Sequence, residues 1–144
     1  MTKSLVILTH SPHETEAWAQ TFAATLTPGT VIALFGELGA GKTVIAKGIG
    51  KGLGVAEAVV SPSFNYVLEY KGKLPFFHAD LYRIEDAATF EAMGFDEYFD
   101  RNGVFVIEWA ERVRDILPPD ALWIEIEPVA DGSGRRIAVK RGTV

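Results

Sequence analysis

The chain has 144 residues, of which 48% are hydrophobic and none is cysteine. This length is typical of one globular domain that folds around a single core without a disulfide or a structural metal. The lack of cysteine excludes thiol catalysis, iron–sulfur clusters and thiolate zinc sites. With 14 Lys and Arg residues against 19 Asp and Glu residues, the net charge of −5 disfavours direct binding to nucleic acid or to an anionic membrane.

The N-terminal segment does not have the pattern of a secretion signal. Its apolar run at residues 5–8 is too short for the core of a signal peptide. No run in the chain approaches the roughly 18 apolar residues that a membrane span needs. We therefore expect a single domain over residues 1–144, located in the cytoplasm and without a membrane partner.

A strand followed by a helix is predicted at the start of the chain. The apolar run at residues 5–8 is typical of a strand. After it, Ser11 can cap a helix, Pro12 suits the first helical position, and Glu14 completes a capping box. We expect this helix to end before the turn-forming residues 27–29.

A second strand and a second helix flank a glycine-rich turn. Residues 31–35 are continuously apolar, as in a strand that is covered on both faces. A helix is predicted over residues 42–53 after the turn. Its apolar side chains are expected to be buried: Ile45, Ile49 and Leu53.

The middle of the chain predicts a hairpin and a short helix. Residues 66–70 and 75–78 flank a turn and are expected to pair as antiparallel strands. Asp80 then lies just past the second strand. A short helix is predicted over residues 86–93.

The last third predicts a buried strand, a weak helix and a two-stranded ribbon. Residues 104–107 are fully apolar and end in Glu108, and the weak helix covers residues 111–117. The ribbon joins residues 122–126 to residues 136–139. Helices interspersed with fully apolar strands predict a small α/β sandwich with central parallel strands, and the two hairpins predict antiparallel edges of a mixed sheet.

Residues 36–43 match the phosphate-binding loop pattern of glycine, four residues, and then Gly-Lys-Ser/Thr. The glycines let successive backbone N–H groups point into one concavity, and the following helix directs its positive end at the phosphates. Lys42 can reach the outer phosphates, and the Thr43 hydroxyl can ligate Mg²⁺. The flanking strand and helix are the context that this motif requires, so a P-loop NTPase-like fold is expected. The predicted nucleotide-binding residues of this phosphate loop are Gly36, Glu37, Leu38, Gly39, Ala40, Gly41, Lys42 and Thr43.

Two acidic residues follow buried strands and are candidates for the chemistry. Ligands of open α/β sheets bind at the carboxyl ends of the strands, so Glu108 and Asp80 could converge near the phosphate loop. Glu108 is the preferred acid at Mg²⁺, and Asp80 then orients the attacking water or the hydration shell of the metal. The sequence also allows the reverse assignment, and either acid alone could be a solvated residue at a strand end.

The sequence gives weaker support for a functional role of other side chains. Residues 61–65 follow the second predicted helix, where related nucleotide hydrolases keep a segment that senses the third phosphate. A plain surface loop is an equally good interpretation of these residues. His10 and His78 could carry protons, although packing or surface exposure is the commoner role of a single histidine.

Five segments together resemble a known family. The chain carries, in this order, the phosphate loop at 36–43, Ser-Pro-Ser-Phe at 61–64, His-Ala-Asp-Leu-Tyr-Arg at 78–83, Met-Gly-Phe-Asp-Glu-Tyr-Phe at 93–99 and Glu-Trp-Ala-Glu at 108–111. In this order they resemble the segments of the bacterial TsaE family, also called YjeE, over residues 11–135. The His-Ala-Asp-Leu-Tyr-Arg segment at 78–83, taken together with the Glu-Trp pair at 108–109, is much more specific than the phosphate loop by itself.

The resemblance implies an ATPase whose cofactors are ATP and Mg²⁺. It implies that the protein assists TsaD and TsaB in the threonylcarbamoyl modification of adenosine in tRNAs that read codons beginning with A. Hydrolysis is then slow in the protein alone and depends on these partners. The family docks on the TsaB–TsaD assembly near the TsaD active site, so tRNA is contacted only indirectly, which agrees with the acidic net charge.

The resemblance also carries over residue roles by motif. The phosphate loop holds ATP, and the catalytic residues are Lys42, Asp80 and Glu108. Thr43 and Glu108 lie at Mg²⁺, with Asp80 as the further acid of the metal site. Three residues outside the loop resemble adenine-side contacts of the family, with weaker motif support: Ser11, Gly134 and Arg135.

Aromatic residues form a candidate docking surface. Aromatic side chains are enriched in protein interfaces. The hypothesis is that four of them contribute to partner docking, and full burial of all four in the monomer would contradict it: Phe95, Tyr98, Phe99 and Trp109.

Two other function classes also fit the phosphate loop. A small kinase shares the loop but needs an acceptor pocket and usually an arginine-bearing lid, for which Arg112 and Arg114 offer thin support. A nucleotide-gated scaffold with negligible turnover differs from an ATPase in sequence only through Asp80 and Glu108. A GTPase is disfavoured because the chain lacks the Asn-Lys-x-Asp sequence that reads guanine.

Overall fold

The structure is a computed structural model that describes residues 4–37, 39, 41–62 and 66–141. The elements of this part of the chain are β1 (Ser4–Thr9), α1 (Pro12–Ala23), β2 (Thr30–Phe35), α2 (Lys42–Gly52), β3 (Val67–Tyr70), β4 (Phe76–Asp80), α3 (Ala87–Ala92), the first 3₁₀ helix (Phe95–Asp100), β5 (Val104–Glu108), the second 3₁₀ helix (Ala110–Ile116), β6 (Leu122–Pro128) and β7 (Arg135–Arg141). Within these ranges, no helix combines the length and the apolar character needed to traverse a bilayer.

The described strands form one mixed, seven-stranded sheet in the order β1-β7-β6-β2-β5-β4-β3. β2 pairs in parallel with β5 and β6, and β4 pairs in parallel with β5. Towards the two edges, β3 pairs antiparallel with β4, and β7 pairs antiparallel with β6 and β1. The predicted α/β fold with a parallel centre and antiparallel edges is confirmed.

Several elements differ from their predicted bounds. β6 and β7 extend beyond the predicted 122–126 and 136–139, and two further differences have a tertiary cause. β4 runs two residues beyond the predicted 75–78, because Asp80 is itself paired in register with Glu108 of β5. The weak helix predicted over residues 111–117 is a 3₁₀ helix at Ala110–Ile116. Its backbone leaves the helical region at Val113, with φ −126° and ψ 21°, where the side chain is fully buried.

The start of α1 agrees with its predicted cap. The Ser11 hydroxyl oxygen accepts a hydrogen bond from the Glu14 backbone N–H at 3.0 Å, and Pro12 occupies the first turn. The Glu14 carboxylate contacts His10 Nδ1 at 3.2 Å, so the described residues show the Ser11 half of the capping box. This cap fixes Ser11 at the turn between β1 and α1.

Two apolar layers cover the two faces of the sheet. The layer under α1 and α2 contains Ile45, Ile49 and Leu53, whose predicted burial is confirmed. The layer on the opposite face, under α3 and the 3₁₀ helices, contains Phe90 and Phe105. The sheet therefore has both faces covered, as its continuously apolar central strands predict.

α1 and α2 pack closely because small residues face each other. A Cβ atom added at Gly48 would lie 2.5 Å from the Glu16 carbonyl oxygen and 2.6 Å from Ala19 Cβ. A Cβ atom at Gly52, one turn later, would lie 2.5 Å from Ala23 Cβ. This contact fixes α2, and with it the helix end that follows the phosphate loop.

Gly48→Ala is expected to lower the free energy of unfolding by about 1–3 kcal/mol, because the new methyl group must displace α1. The usual effect in a helix has the opposite sign, since replacing glycine by alanine stabilises by roughly 0.5–1 kcal/mol. Urea unfolding measures the change. Lys47→Ala, on the exposed side of α2, is the control and should shift stability by less than about 0.5 kcal/mol. A Gly48→Ala variant as stable as the parent would contradict the described packing.

Candidate functional site

Three parallel strands end side by side where the phosphate loop begins. Pairing aligns Leu34 of β2 with Glu108 of β5, and Glu108 with Asp80 of β4. Phe76 of β4 belongs to the layer under α1 and α2, and strand alternation places His78 and Asp80 on the same face. The carboxyl ends of these strands therefore meet beside the N-terminus of α2, the usual ligand position in such sheets.

The described part of the phosphate loop changes direction at glycines with positive φ. Gly39 has φ 82° and Gly41 has φ 113°, which are left-handed conformations that other residues rarely adopt. Gly41 precedes α2 directly, and a Cβ atom there would lie only 3.2 Å from Ile126 Cδ1. Leu38 and Ala40 of the predicted loop lie outside the described residues. Gly39 and Gly41 are both needed for the loop to reach α2 in this geometry.

Lys42 is held at the first turn of α2 and is only 4% exposed. Its Nζ donates a hydrogen bond to the Gly36 carbonyl oxygen at 2.6 Å and lies 3.6 Å from the centroid of the Trp109 ring. Burial lowers the pKa of Lys42 below its ordinary value, and three nearby carboxylates oppose that shift: Glu111, Glu108 and Asp80. The ammonium group is therefore positioned between the loop, an aromatic face and the acids of the site.

Glu108 is the centre of a buried hydrogen-bonded group. Its two carboxylate oxygens accept the Thr43 hydroxyl at 3.1 and 3.2 Å. Its Oε2 lies 2.6 Å from Nε2 of His78, which is 0% exposed. The sequence interpretation did not predict this histidine contact. The sequence signal for it was that His78 and Asp80 are two residues apart, which places both side chains on the same face of a strand.

Asp80 makes a separate set of contacts beside this group. Its Oδ1 accepts the Tyr82 backbone N–H at 3.0 Å, and its Oδ2 accepts the Ser61 hydroxyl at 3.3 Å. The carboxylate is half-buried, so solvent reaches it. Residues 63–65 of the predicted phosphate-sensing segment lie outside the described residues.

The oxygen atoms at this edge suit Mg²⁺, which prefers carboxylate, hydroxyl, water and phosphate ligands. Thr43 and Glu108 are in direct contact, and Asp80 neighbours Glu108 in the sheet. In the described ranges, no cluster of three or more His, Cys, Asp or Glu side chains could hold a metal ion by itself. Mg²⁺ commonly binds through one or two protein oxygens plus substrate phosphates. The donor set therefore fits Mg²⁺ that arrives with a nucleotide.

A cavity of about 210 Å³ adjoins the phosphate loop. Gly39 and Gly41 of the loop line it, together with Ser11, Gly134 and Arg135 from the two ends of the chain. We call it the side cavity. The structure thus brings the three residues that resemble adenine-side contacts next to the loop, although they are far apart in sequence.

Close backbone approach shapes one wall of the side cavity. A Cβ atom at Gly134 would overlap the Thr9 carbonyl oxygen, so the start of β7 and the end of β1 touch through backbone. Beneath Ser11, the hydroxyl groups of Thr9 and Thr15 are 2.6 Å apart and buried. This wall is therefore fixed by β1, α1 and the residues that precede β7.

The four aromatic residues of the candidate docking surface are each half-buried. They pack against the layer under α3 and the 3₁₀ helices: Phe95, Tyr98, Phe99 and Trp109. Next to them, Tyr82 is 52% exposed, and its ring centroid lies 5.1 Å from that of Trp109. Since none of the four is fully buried, their role in docking stays a prediction.

The arginine pair considered for a kinase lid packs against the body of the domain. The Arg114 guanidinium lies 5.2 Å from the Phe35 ring centroid and 5.0 Å from that of Trp123. Arg112 donates to the Tyr82 carbonyl oxygen at 3.4 Å. These contacts belong to a packed 3₁₀ helix, which weakens the kinase interpretation.

The chain is similar to known proteins over most of its length. The family model described as threonylcarbamoyl adenosine biosynthesis protein TsaE matches residues 9–137. The tRNA threonylcarbamoyladenosine biosynthesis protein TsaE of Bacillus subtilis (strain 168) is 45% identical over 130 residues, covering 90% of this chain and 81% of the relative. The protein of the same name from Treponema pallidum (strain Nichols) is 38% identical over 132 residues, covering 92% of this chain and 97% of the relative.

A solved structure has the same fold. The crystal structure of Bacillus subtilis YdiB matches with a TM-score of 0.84 and 39% sequence identity. The match covers 98% of this chain and 87% of that one. The arrangement of the sheet and helices described above is therefore shared with an experimentally determined structure.

Proposed function

The chain belongs to the TsaE family, and from that premise we propose that it is a Mg²⁺-dependent ATPase. It assists TsaD and TsaB homologues in the threonylcarbamoyl modification of adenosine in tRNAs that read codons beginning with A. The relatives are named for the biosynthesis of threonylcarbamoyladenosine in tRNA. The observation that carries the ATPase proposal is the contact of Thr43 with Glu108 at the end of the phosphate loop, with Asp80 in register beside them.

Nucleotide binding follows from the loop and the side cavity. The N-terminus of α2 offers unpaired backbone N–H groups and a positive dipole end to the phosphates. Lys42 Nζ donates to the Gly36 carbonyl oxygen at the start of the loop, and in this proposal it turns from there to the outer phosphates. The side cavity, lined by Ser11 and Gly134, then accepts the base. Thr43 and Glu108 would hold Mg²⁺, which neutralises charge on the phosphate oxygens when bound.

Hydrolysis needs a group that orients water at the terminal phosphate. Asp80 suits this role because Oδ1 is fixed by the Tyr82 backbone N–H at 3.0 Å, while the contact that the described residues give Oδ2 is the longer one with Ser61, at 3.3 Å. A water molecule that donates to Oδ2 would be held for in-line attack on the terminal phosphorus, and the bond to the ADP oxygen would break. Lys42, near the same acids, stabilises the negative charge that this transfer redistributes.

The acidic character of the chain supports indirect contact with tRNA. Protein–nucleic acid affinity depends on Lys and Arg residues that neutralise phosphates. A chain with a net charge of −5 is poorly suited to that role. In this proposal the TsaD and TsaB homologues bind tRNA, and the half-buried aromatic residues beside the site contribute to docking on them.

The side cavity gives a prediction that separates base binding from phosphate binding. Val44→Tyr places a ring in the cavity that Val44 lines, so ATP affinity is expected to fall about tenfold or more. Inorganic triphosphate has no base, and its affinity should stay within about twofold of the parent. Calorimetric titration measures both. Val44→Thr keeps the side-chain shape and is the control. An unchanged ATP affinity in Val44→Tyr would place the base elsewhere.

Phosphate release from ATP tests the proposed function. The purified chain is assayed with Mg²⁺ alone and then with the TsaB and TsaD homologues of the same organism, with no small-molecule acceptor present. Release that rises with the partners is the expected result. ATP binding without release in either condition would instead support a nucleotide-gated scaffold or a kinase that awaits its acceptor.

A further inference from the structure

His78 lies behind the phosphate site in the middle of the sheet. It is 0% exposed, aligns with Val106 of β5, and stacks on Phe76 with 6.2 Å between the ring centroids. Nε2 is 2.6 Å from Glu108 Oε2. Nδ1 is buried and has no hydrogen-bond partner among the described residues. Among the described residues the ring therefore makes one polar contact, and that contact is to the acid of the site.

Packing alone does not account for a histidine at this position. Its neighbours in β4 are apolar, with Phe77 and Ala79 on either side in sequence. A buried polar group that lacks a partner costs about 1–3 kcal/mol, so an Nδ1 with no partner in the described part of the chain makes histidine less favourable there than an apolar residue. The contact with Glu108 is the feature that an apolar side chain could not supply.

Two donors, His78 on β4 and Thr43 on α2, restrain the Glu108 carboxylate. A carboxylate oxygen is an acceptor, so we assign the Nε2 proton of His78 as the donor to Oε2. From α2, the Thr43 hydroxyl donates to the same carboxylate, with 3.1 Å to Oε1 and 3.2 Å to Oε2. The backbone of Glu108 is also anchored, because its carbonyl oxygen accepts the Leu81 N–H at 3.1 Å. The orientation of this carboxylate towards Thr43 is thus held by β4.

We infer that His78 is a positioning residue that holds the Glu108 carboxylate towards Thr43 and thereby sets the affinity of the nucleotide site for Mg²⁺. This inference rests on the proposed function. Groups that orient a ligating side chain typically change metal affinity or activity by about 10–100-fold when they are replaced.

A pair of amide variants isolates the hydrogen bond from packing. The amide nitrogen in His78→Gln reaches close to the position of Nε2 and can still donate to Glu108. The side chain in His78→Asn is one methylene group shorter, so its amide falls near the position of Nδ1 and does not reach. Both variants bury a neutral amide in the same place, which makes each the control for the other.

The measurement is the affinity for ADP, by calorimetric titration in EDTA and over a series of Mg²⁺ concentrations. The Mg²⁺ half-effect is the Mg²⁺ concentration that gives half of the Mg²⁺-dependent change in ADP affinity. In His78→Asn it is expected to rise about 10–100-fold. Its ADP affinity in EDTA should stay within about threefold of the parent, and His78→Gln should match the parent on both readouts to that precision. If the asparagine variant does not fold, His78→Leu replaces it as a variant without the donor.

Three outcomes would overturn the inference. An unchanged Mg²⁺ half-effect in His78→Asn would mean that the contact does not position Glu108. Equal losses in the glutamine and asparagine variants would mean that the donor to Glu108 is not what matters. Lower melting temperatures and weaker ADP binding in EDTA, without a change in the Mg²⁺ half-effect, would indicate a structural role only. By contrast, ADP binding in the parent that ignores Mg²⁺ would contradict the proposed function itself, and this is seen without any variant.

Discussion

Asp80→Ala is expected to slow ATP hydrolysis by about 10²–10⁴-fold while ATP binding persists. The variant removes the carboxylate that we propose to orient water, and it leaves the loop, Lys42 and the Thr43–Glu108 contact in place. Phosphate release and calorimetric ATP affinity, measured on the same preparation with the partners present, give the two quantities.

The control for this variant is Asp100→Ala, at an exposed acid at the end of the first 3₁₀ helix. It should hydrolyse ATP at the rate of the parent, because surface substitutions away from the site change little. A proportional loss of ATP affinity in Asp80→Ala would indicate that this acid helps to hold the nucleotide and does not act in the hydrolytic step.

Glu108→Ala is the second variant with a large expected effect. Hydrolysis should fall by about 10²-fold or more, because the acid proposed at Mg²⁺ is removed and the Thr43 hydroxyl loses its partner. The variant also leaves Nε2 of His78 buried without its acceptor, which costs about 1–3 kcal/mol of stability. Some ATP binding should remain, since the loop backbone and Lys42 are unchanged.

Melting temperature, ATP affinity and phosphate release over a series of Mg²⁺ concentrations separate these effects. Glu91→Ala, at an exposed acid of α3, is the control and should match the parent in all three. If Asp80→Ala and Glu108→Ala both turn over ATP like the parent, the proposed site is wrong.

The features that are local in sequence could be predicted. The phosphate loop is a contiguous pattern, and continuous apolarity in residues 31–35 and 104–107 marks strands that are covered on both faces. The convergence of Asp80 and Glu108 followed from the rule that parallel strand ends meet at one edge. These inferences need only the type and order of the elements.

The features that depend on register and on contacts between distant segments could not be predicted from the residues. The His78–Glu108 contact requires β4 to pair with β5 in the observed register, which no local pattern specifies. The side cavity requires β1 to pair with β7 so that Thr9 meets Arg135. Periodicity does not indicate that pairing, and a role for Ser11, Gly134 and Arg135 at the nucleotide base was predicted only by the family resemblance.

A crystal structure of the chain with a non-hydrolysable ATP analogue and Mn²⁺, located by its anomalous signal, shows whether the phosphate loop, Thr43 and Glu108 form the nucleotide site. We expect Mn²⁺ at the Thr43 hydroxyl beside Glu108, the phosphates along residues 36–43, and the base in the side cavity next to Ser11 and Gly134. A nucleotide bound away from the phosphate loop, or a metal ion that leaves Thr43 and Glu108 without a role, would contradict this expectation.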